Sequence, residues 1–253
     1  ANKILQVITL IDWKIGDAVM ALLSGGGQAE YVTVPEGCLM PAPNDMTLIQ
    51  AAAIPEAWLT AFQLLHFVGK IQKGERVLIH AGASGVGMAA IQLVKLANAI
   101  PIVTAGTQEK LKATANAGAA AGFDYKNEDF SEKVLAFTQG QNILKLLKHI
   151  VQNQDEIKRQ LGRRHANKIL QVITLIDVWL FLPYPLFCFV LEEREVSSPQ
   201  RKNVLPYFAQ GASPRLQPFV DSIYPLHEIA EAHRAMEENR NIGKIVIEMP
   251  VST

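Results

Sequence analysis

Apolar positions in the middle of the chain alternate between two periods. Residues 77–81 form a short apolar run interrupted only by His80. That is the length and composition of a strand buried on both faces. Gly82, Gly85 and Gly87 break the run, and residues 88–97 then carry good helix formers without Gly or Pro. Residues 100–105 predict a second strand, with Pro101 near its start, where a missing N–H is tolerated. Residues 108–117 read as a helix stopped by Gly118, residues 122–125 as a third short strand, and residues 128–138 as an amphipathic helix. Strands alternating with helices at this spacing predict an α/β fold, one half of a doubly wound (Rossmann) parallel sheet.

The flanks follow other patterns. Over residues 13–43, short β-rich runs at 17–23 and 29–34 are joined by glycines and predict strands of a small antiparallel barrel. Gly25, Gly26 and Gly27 are not followed by a helix, so they read as a hairpin turn and not as a phosphate loop. Residues 47–68 predict helix: Thr47 is a favourable N-cap, Gln50 sits at the capping-box position, and Pro55 divides two helical stretches. Beyond Gly140 the alternation stops. Residues 142–168 are polar and basic and read as helical; residues 169–191 are nearly all apolar, with Asp177 their only charge. The length suffices for a bilayer, but Pro183, Pro185 and Asp177 stand against a span. A buried core segment or an insert are the ordinary readings. Residues 223–236 predict a helix with Ile229, Ala232 and Met236 on one face, and residues 244–249 a final strand after Gly243.

Strand, glycine turn and helix in that order suit phosphate binding. Glycine lets the chain turn tightly and approach an anion, and the helix start presents N–H groups to it. An ordinary strand-to-helix turn is the plain alternative. The second strand ends in Ala105-Gly106-Thr107, and the first cation after it is Lys110. A fold that prefers NAD usually has Asp or Glu here, on the ribose 2′-hydroxyl. A small residue followed by a Lys accepts a 2′-phosphate instead, so NADP is favoured; the alternative for Lys110 is a solvated helix lysine. His227 and His233 lie at no metal spacing with a third ligand and read as surface residues, and His66, on the second helix, reads as surface or packed rather than catalytic.

Composition narrows the class. The 253 residues are 49% hydrophobic, and 24 basic residues balance 24 acidic ones. Such a chain is globular and shows no electrostatic footprint for nucleic acid. Cys38 and Cys188 are the only cysteines, with no Cys-x-x-Cys, which speaks against a thiolate zinc site and for a reducing compartment. The N-terminus lacks both an initiator Met and the pattern of a secretory signal. Residues 1–12 return without a change as residues 166–177. Structural repeats diverge, so this pair reads as one coding segment used twice.

The run from His80 to Gly87, with Ala105-Gly106-Thr107 and Lys110 after it, resembles the zinc-free quinone oxidoreductase branch of the medium-chain dehydrogenase/reductase superfamily. Residues 13–17 and 54–62 fit the same family, and the resemblance spans residues 13–140 and again 204–250. It implies NADPH as cofactor. Ser84, Gly85, Val86 and Gly87 would meet the pyrophosphate, Gly106, Lys110 and Tyr125 the adenosine 2′-phosphate, and Thr60 the nicotinamide; the alternative for Thr60 is a helix threonine bonded to its own backbone. Residues 58–140 would be the NADP-binding half, with 13–57 and 204–253 as remnants of a GroES-like β-barrel substrate domain. Residues 1–12 and 141–203 are atypical. The family further implies a quinone-type small-molecule substrate, a homodimer and a cytoplasmic setting.

Three functions are in view. The first is hydride transfer from NADPH to quinones or related unsaturated carbonyl compounds, with no general acid identified. The second is NADP binding without turnover, because segments that build the acceptor pocket and nicotinamide loop in the family are not matched. The third is a membrane-anchored interaction protein using residues 169–191.

Overall fold

The computed structural model describes residues 13–23, 25–139, 143–146 and 203–250. The apolar stretch 169–191, the repeated segment at 1–12 and 166–177, and the basic run beyond residue 146 lie outside the described residues.

The predicted α/β alternation forms. Strand β3 (Arg76–Ile79) leads into α3 (Gly85–Leu96), β4 (Ile100–Ala105), α4 (Gln108–Ala117), β5 (Ala121–Asp124), α5 (Phe130–Thr138) and β6 (Ile143–Leu146). All pairings are parallel, and the order across the sheet is β5-β4-β3-β6. The chain steps outward from β3 to β5 and then returns to the other side of β3. That reversal is the topological switch point of a doubly wound sheet. Gly118, at φ +105°, stops α4 as its position predicts.

Both faces of the sheet are covered, which explains the unbroken apolar strands. Val77, Ile79 and Val103 share a core with Ile91 and Val94 of α3; Leu78 and Ile102 point the other way, onto Phe130 and Val134 of α5. Helix α3 is buried almost all round, from Val86 to Val94, as expected for a helix inside a core.

The larger core runs on into the flanks. Strand β1 (Val19–Ala21) pairs antiparallel with β2 (Leu39–Pro41). Helix α1 (Leu48–Ala52) opens on the predicted Thr47–Gln50 capping box, and α2 (Pro55–Phe62) begins at the predicted proline. A π-helical turn, Gln63–Val68, follows. Trp58 of α2 meets Phe208 edge-on at 4.7 Å between ring centres, so the segment resuming at residue 203 packs back on α2. Strand β7 (Val220–Pro225), α6 (Ile229–Glu237) and β8 (Lys244–Glu248) complete the described chain, with β7 and β8 parallel.

Four expectations are corrected. The basic run after residue 142 does not start as helix: residues 143–146 are a fourth parallel strand beside β3, because sheet pairing overrides local helix preference there. Residues 29–34 form no strand; β1 takes its partner later in the chain, at Leu39–Pro41. Residues 223–225 belong to β7 and not to the helix. On α6 the buried face is Ala232 and Ala235, while Met236 is 53% exposed. That spacing still follows a helical turn, but the face is rotated.

Candidate nucleotide-binding site

The carboxyl ends of β3 and β6 flank the switch point, where open α/β sheets hold ligands. The chain leaves β3 through His80 and turns at Ala81, which adopts a left-handed φ of +51°. For a residue with a Cβ this costs about 1–2 kcal/mol, so the surrounding bonds must enforce it. They do: Ser84 N–H donates to Ala81 O at 2.9 Å, and Gly82 N–H to Thr104 O at 2.9 Å. His80 itself is buried, its Nδ1 3.0 Å from Thr104 Oγ1 and its ring edge-on to Phe130.

Ser84 is the N-cap of α3, its Oγ accepting from Gly87 N–H at 3.1 Å. Gly87 is required by contact: a Cβ there would lie 2.5 Å from Gly82 O and 2.6 Å from Ala81 O. Among the described residues the N–H groups of Gly85 and Val86 make no backbone hydrogen bond, at the start of a helix of 12 residues. The loop thus offers a backbone cradle and a helix start to an anion, and these residues fit a pyrophosphate.

The C-terminal unit sits against this loop. Gly243 N–H donates to Ala83 O at 2.8 Å, and Ser84 and Gly243 form a parallel bridge. Next in the chain, Lys244 lays its side chain over Gly85: a Cβ at Gly85 would lie 2.5 Å from Lys244 Cδ. The Lys244 ammonium is 2.8 Å from Glu56 Oε2, in the first turn of α2. Thr60 is half-buried, one helical turn beyond Glu56 and on the same face. Among the described residues its hydroxyl makes no hydrogen bond, so its predicted alternative as a self-bonded helix threonine is not seen.

The other end of the site lies past β4. A Cβ on Gly106 would lie 2.8 Å from Tyr125 Oη and 2.9 Å from Lys126 Cε, so that glycine makes room for both. Lys110 is in the first turn of α4, its N–H donating to the N-cap Thr107 Oγ1 at 3.2 Å. Its ammonium donates to Asn239 O, just beyond α6. Burial lowers the Lys110 pKa, the Lys126 charge lowers it further, and Asp221 and Glu109 oppose the shift. The structure therefore sets Tyr125 and Lys126 against Gly106, with Lys126 near enough to Lys110 to lower its pKa, and sets Ser84–Gly87 at the α3 start. Lys126, Lys244 and Glu56 were not read from the sequence. For Lys126 the clue was its place directly after Tyr125; Lys244 and Glu56, 188 positions apart, left no local signal.

Among the described residues no three His, Cys, Asp or Glu side chains converge on one point. His227 is exposed, and the exposed His233 ring lies 3.2 Å from Gln28 Nε2.

Residues 117–247, just over half the chain, match the family described as zinc-binding dehydrogenase. The chain belongs to that family, within the medium-chain dehydrogenase/reductase superfamily. The described residues do not themselves offer a zinc donor set, despite the family's description. The human synaptic vesicle membrane protein VAT-1 homolog is 27% identical over 267 residues, covering 93% of this chain and 66% of the relative. The quinone oxidoreductase of Thermus thermophilus, described with and without NADPH, is 26% identical, with a TM-score of 0.71 over 92% of this chain and 77% of that one. The JamJ enoyl reductase superposes with a TM-score of 0.73 at 23% identity, over 96% of this chain and 75% of that one, a likeness of fold alone. The chain spans 54–66% of the length of the VAT-1 homologs it matches. No described helix is long and apolar enough to cross a membrane.

Proposed function

We propose that this chain is an NADPH-dependent oxidoreductase that reduces quinones or related unsaturated carbonyl compounds. The observation that carries the reading is the capped glycine loop, Gly82–Gly87, at the switch point of the β5-β4-β3-β6 sheet, with cations at both ends. The finer likeness, through residues 80–87, Lys110 and Tyr125, is to the p53-inducible NADPH quinone oxidoreductase. The Thermus thermophilus relative, described with NADPH, supports the cofactor.

NADPH, when bound, supplies the hydride. The chain's own residues do the rest. Gly85 and Val86 N–H groups hold the pyrophosphate, with Ser84 fixing the loop and Gly87 allowing it to form. Gly106, Lys110 and Tyr125 receive the 2′-phosphate; ammonium and phenol both donate to it. Thr60 orients the nicotinamide from α2. The substrate-domain remnant is residues 13–57 with 204–253. A cytoplasmic protein with few cysteines and a small-molecule acceptor fits this reading.

A second reading, cofactor capture without turnover, is favoured by one observation. Among the described residues the N-terminal flank is a single pair, β1 with β2, and not a closed barrel. One experiment separates the two. The purified chain is titrated with NADPH by cofactor fluorescence, and NADPH consumption is followed with an ortho-quinone and with an enoyl thioester. Binding with quinone-dependent consumption supports the first reading, and binding alone the second. Absence of NADPH binding overturns both. Consumption only with the enoyl thioester moves the acceptor to the chemistry of the enoyl reductase relative.

A further inference from the structure

Resting on the NADPH reading above, we infer that Lys126 is the principal cation for the cofactor's 2′-phosphate, and that Lys110 is its secondary partner. Three observations point this way.

The first is position. Lys126 follows β5 directly, at the carboxyl end of the sheet, and its Cε lies 2.9 Å from where a Cβ on Gly106 would sit. Tyr125 Oη is 2.8 Å from the same point. The Tyr125 phenol and the end of the Lys126 side chain therefore lie side by side over the glycine that follows β4, where the ribose of a dinucleotide turns its 2′ position in a doubly wound fold.

The second is commitment. The Lys110 ammonium donates to Asn239 O, tying α4 to the chain beyond α6. Taking a phosphate requires Lys110 to share or release that carbonyl. Among the described residues no hydrogen bond or ion pair engages the Lys126 ammonium, which is exposed and near enough to the Asp124 carboxylate to lower its pKa. Asp221 lies near enough to Lys110 to raise its pKa and accepts from Ile242 N–H at 2.7 Å, so a second group already engages the Lys110 side of the site.

The third is rigidity of the turn that carries Lys126. Asp124 is buried, and its carboxylate accepts from Lys126 N–H at 2.9 Å and from Asn127 Nδ2 at 2.9 Å. Glu128 Oε1 closes the turn by accepting Asp124 N–H at 2.6 Å. A cation on a locked turn is positioned before the ligand arrives, and preorganisation of this kind is gained as affinity. The two ammoniums of Lys110 and Lys126 also repel each other, and this lowers the Lys110 pKa. An anion between them relieves that repulsion.

The test is calorimetric titration of the whole chain with NADPH, NADH, 2′,5′-ADP and 5′-ADP. Lys126→Gln is expected to weaken NADPH and 2′,5′-ADP by roughly tenfold or more, the range for a lost charge-assisted contact, and to leave NADH and 5′-ADP within about twofold. Lys126→Arg keeps the preference for the phosphorylated ligands. Lys110→Gln weakens NADPH less than Lys126→Gln does. Unchanged 2′,5′-ADP affinity in Lys126→Gln overturns the inference while leaving the NADPH reading intact, and so does a larger loss in Lys110→Gln. A wild-type chain that binds NADH as tightly as NADPH overturns the underlying reading, and this subsite with it.

Discussion

Lys244 and Glu56, from opposite ends of the sequence, form an ion pair at 2.8 Å across the mouth of the glycine loop. The pair is part-exposed, with side-chain exposures of 30% and 42%, so its own worth to stability is at most about 1 kcal/mol. Its consequence is electrostatic placement. A cation is parked within reach of the anion site, and a carboxylate holds it there.

Lys244→Ala is therefore expected to weaken NADPH and NADH equally, because both carry the pyrophosphate. The loss should be several-fold and should shrink with added salt, as a part-exposed charge is screened. Glu56→Gln releases Lys244 and removes a negative charge, so both cofactors bind more tightly at low salt. Parallel titrations at two salt concentrations check this. A loss confined to NADPH in Lys244→Ala would assign Lys244 to the 2′-phosphate end.

The loop glycines separate by what their Cβ would strike. At Gly87 the obstacles are the backbone carbonyls of Gly82 and Ala81, at 2.5 and 2.6 Å, which cannot move without unmaking the turn. At Gly85 the obstacle is Lys244 Cδ, the flexible part of a side chain. Gly87→Ala should cost about 1–3 kcal/mol of stability through overpacking. Gly85→Ala should leave the melting temperature near wild type and act on cofactor affinity by displacing Lys244. Thermal unfolding and NADPH titration of the two variants distinguish them; equal destabilisation would mean that Lys244 is not free to yield.

Ser84→Ala removes the N-cap that accepts Gly87 N–H. The expected loss is about 1 kcal/mol, the usual size for a cap. The helix start is also left less well fixed, so NADPH affinity falls with stability. Denaturant unfolding read beside NADPH titration checks both.

What the sequence revealed was local. The β3 strand, its glycines, the Thr47–Gln50 capping box and the Gly118 stop depend on residues within a few positions of one another, and each stands where the pattern puts it. Strand β6 was hidden because Ile-Leu-Lys-Leu lies in a basic run with no period long enough to read; its partner β3 decides it. Residues 223–225 join β7 because β8 is there to pair with, although they border a strong helical pattern. Lys244 on Gly85, and Lys126 beside Tyr125 over Gly106, are products of tertiary folding. The loop and Lys110 were thus legible, while the charges of Lys126, Lys244 and Glu56 around the site were not.

The pH dependence of the Asp124 turn gives the last prediction. The side-chain hydrogen bond from Asn127 and then the backbone N–H of Lys126 hold the Asp124 carboxyl below its ordinary value. A carboxylate with a depressed folded pKa stabilises the fold fully above the unfolded value of about 3.9, and that stabilisation is lost as pH falls through the folded value. Asp124→Ala should thus cost about 1–2 kcal/mol near neutral pH, the worth of hydrogen bonds to a charged group on a partly solvated turn. The gap between variant and wild type should narrow steadily as pH drops below about 4, because the wild-type carboxyl is then protonated too. The same variant loosens the turn that carries Lys126, so its NADPH affinity should fall more than its NADH affinity at neutral pH. Unfolding curves across the acid range, read beside the two titrations, test both parts. A stability gap that stays constant from neutral pH to well below about pH 4 would show that the carboxylate's charge is not what locks the turn. An equal loss for NADPH and NADH would separate the turn from the 2′-phosphate.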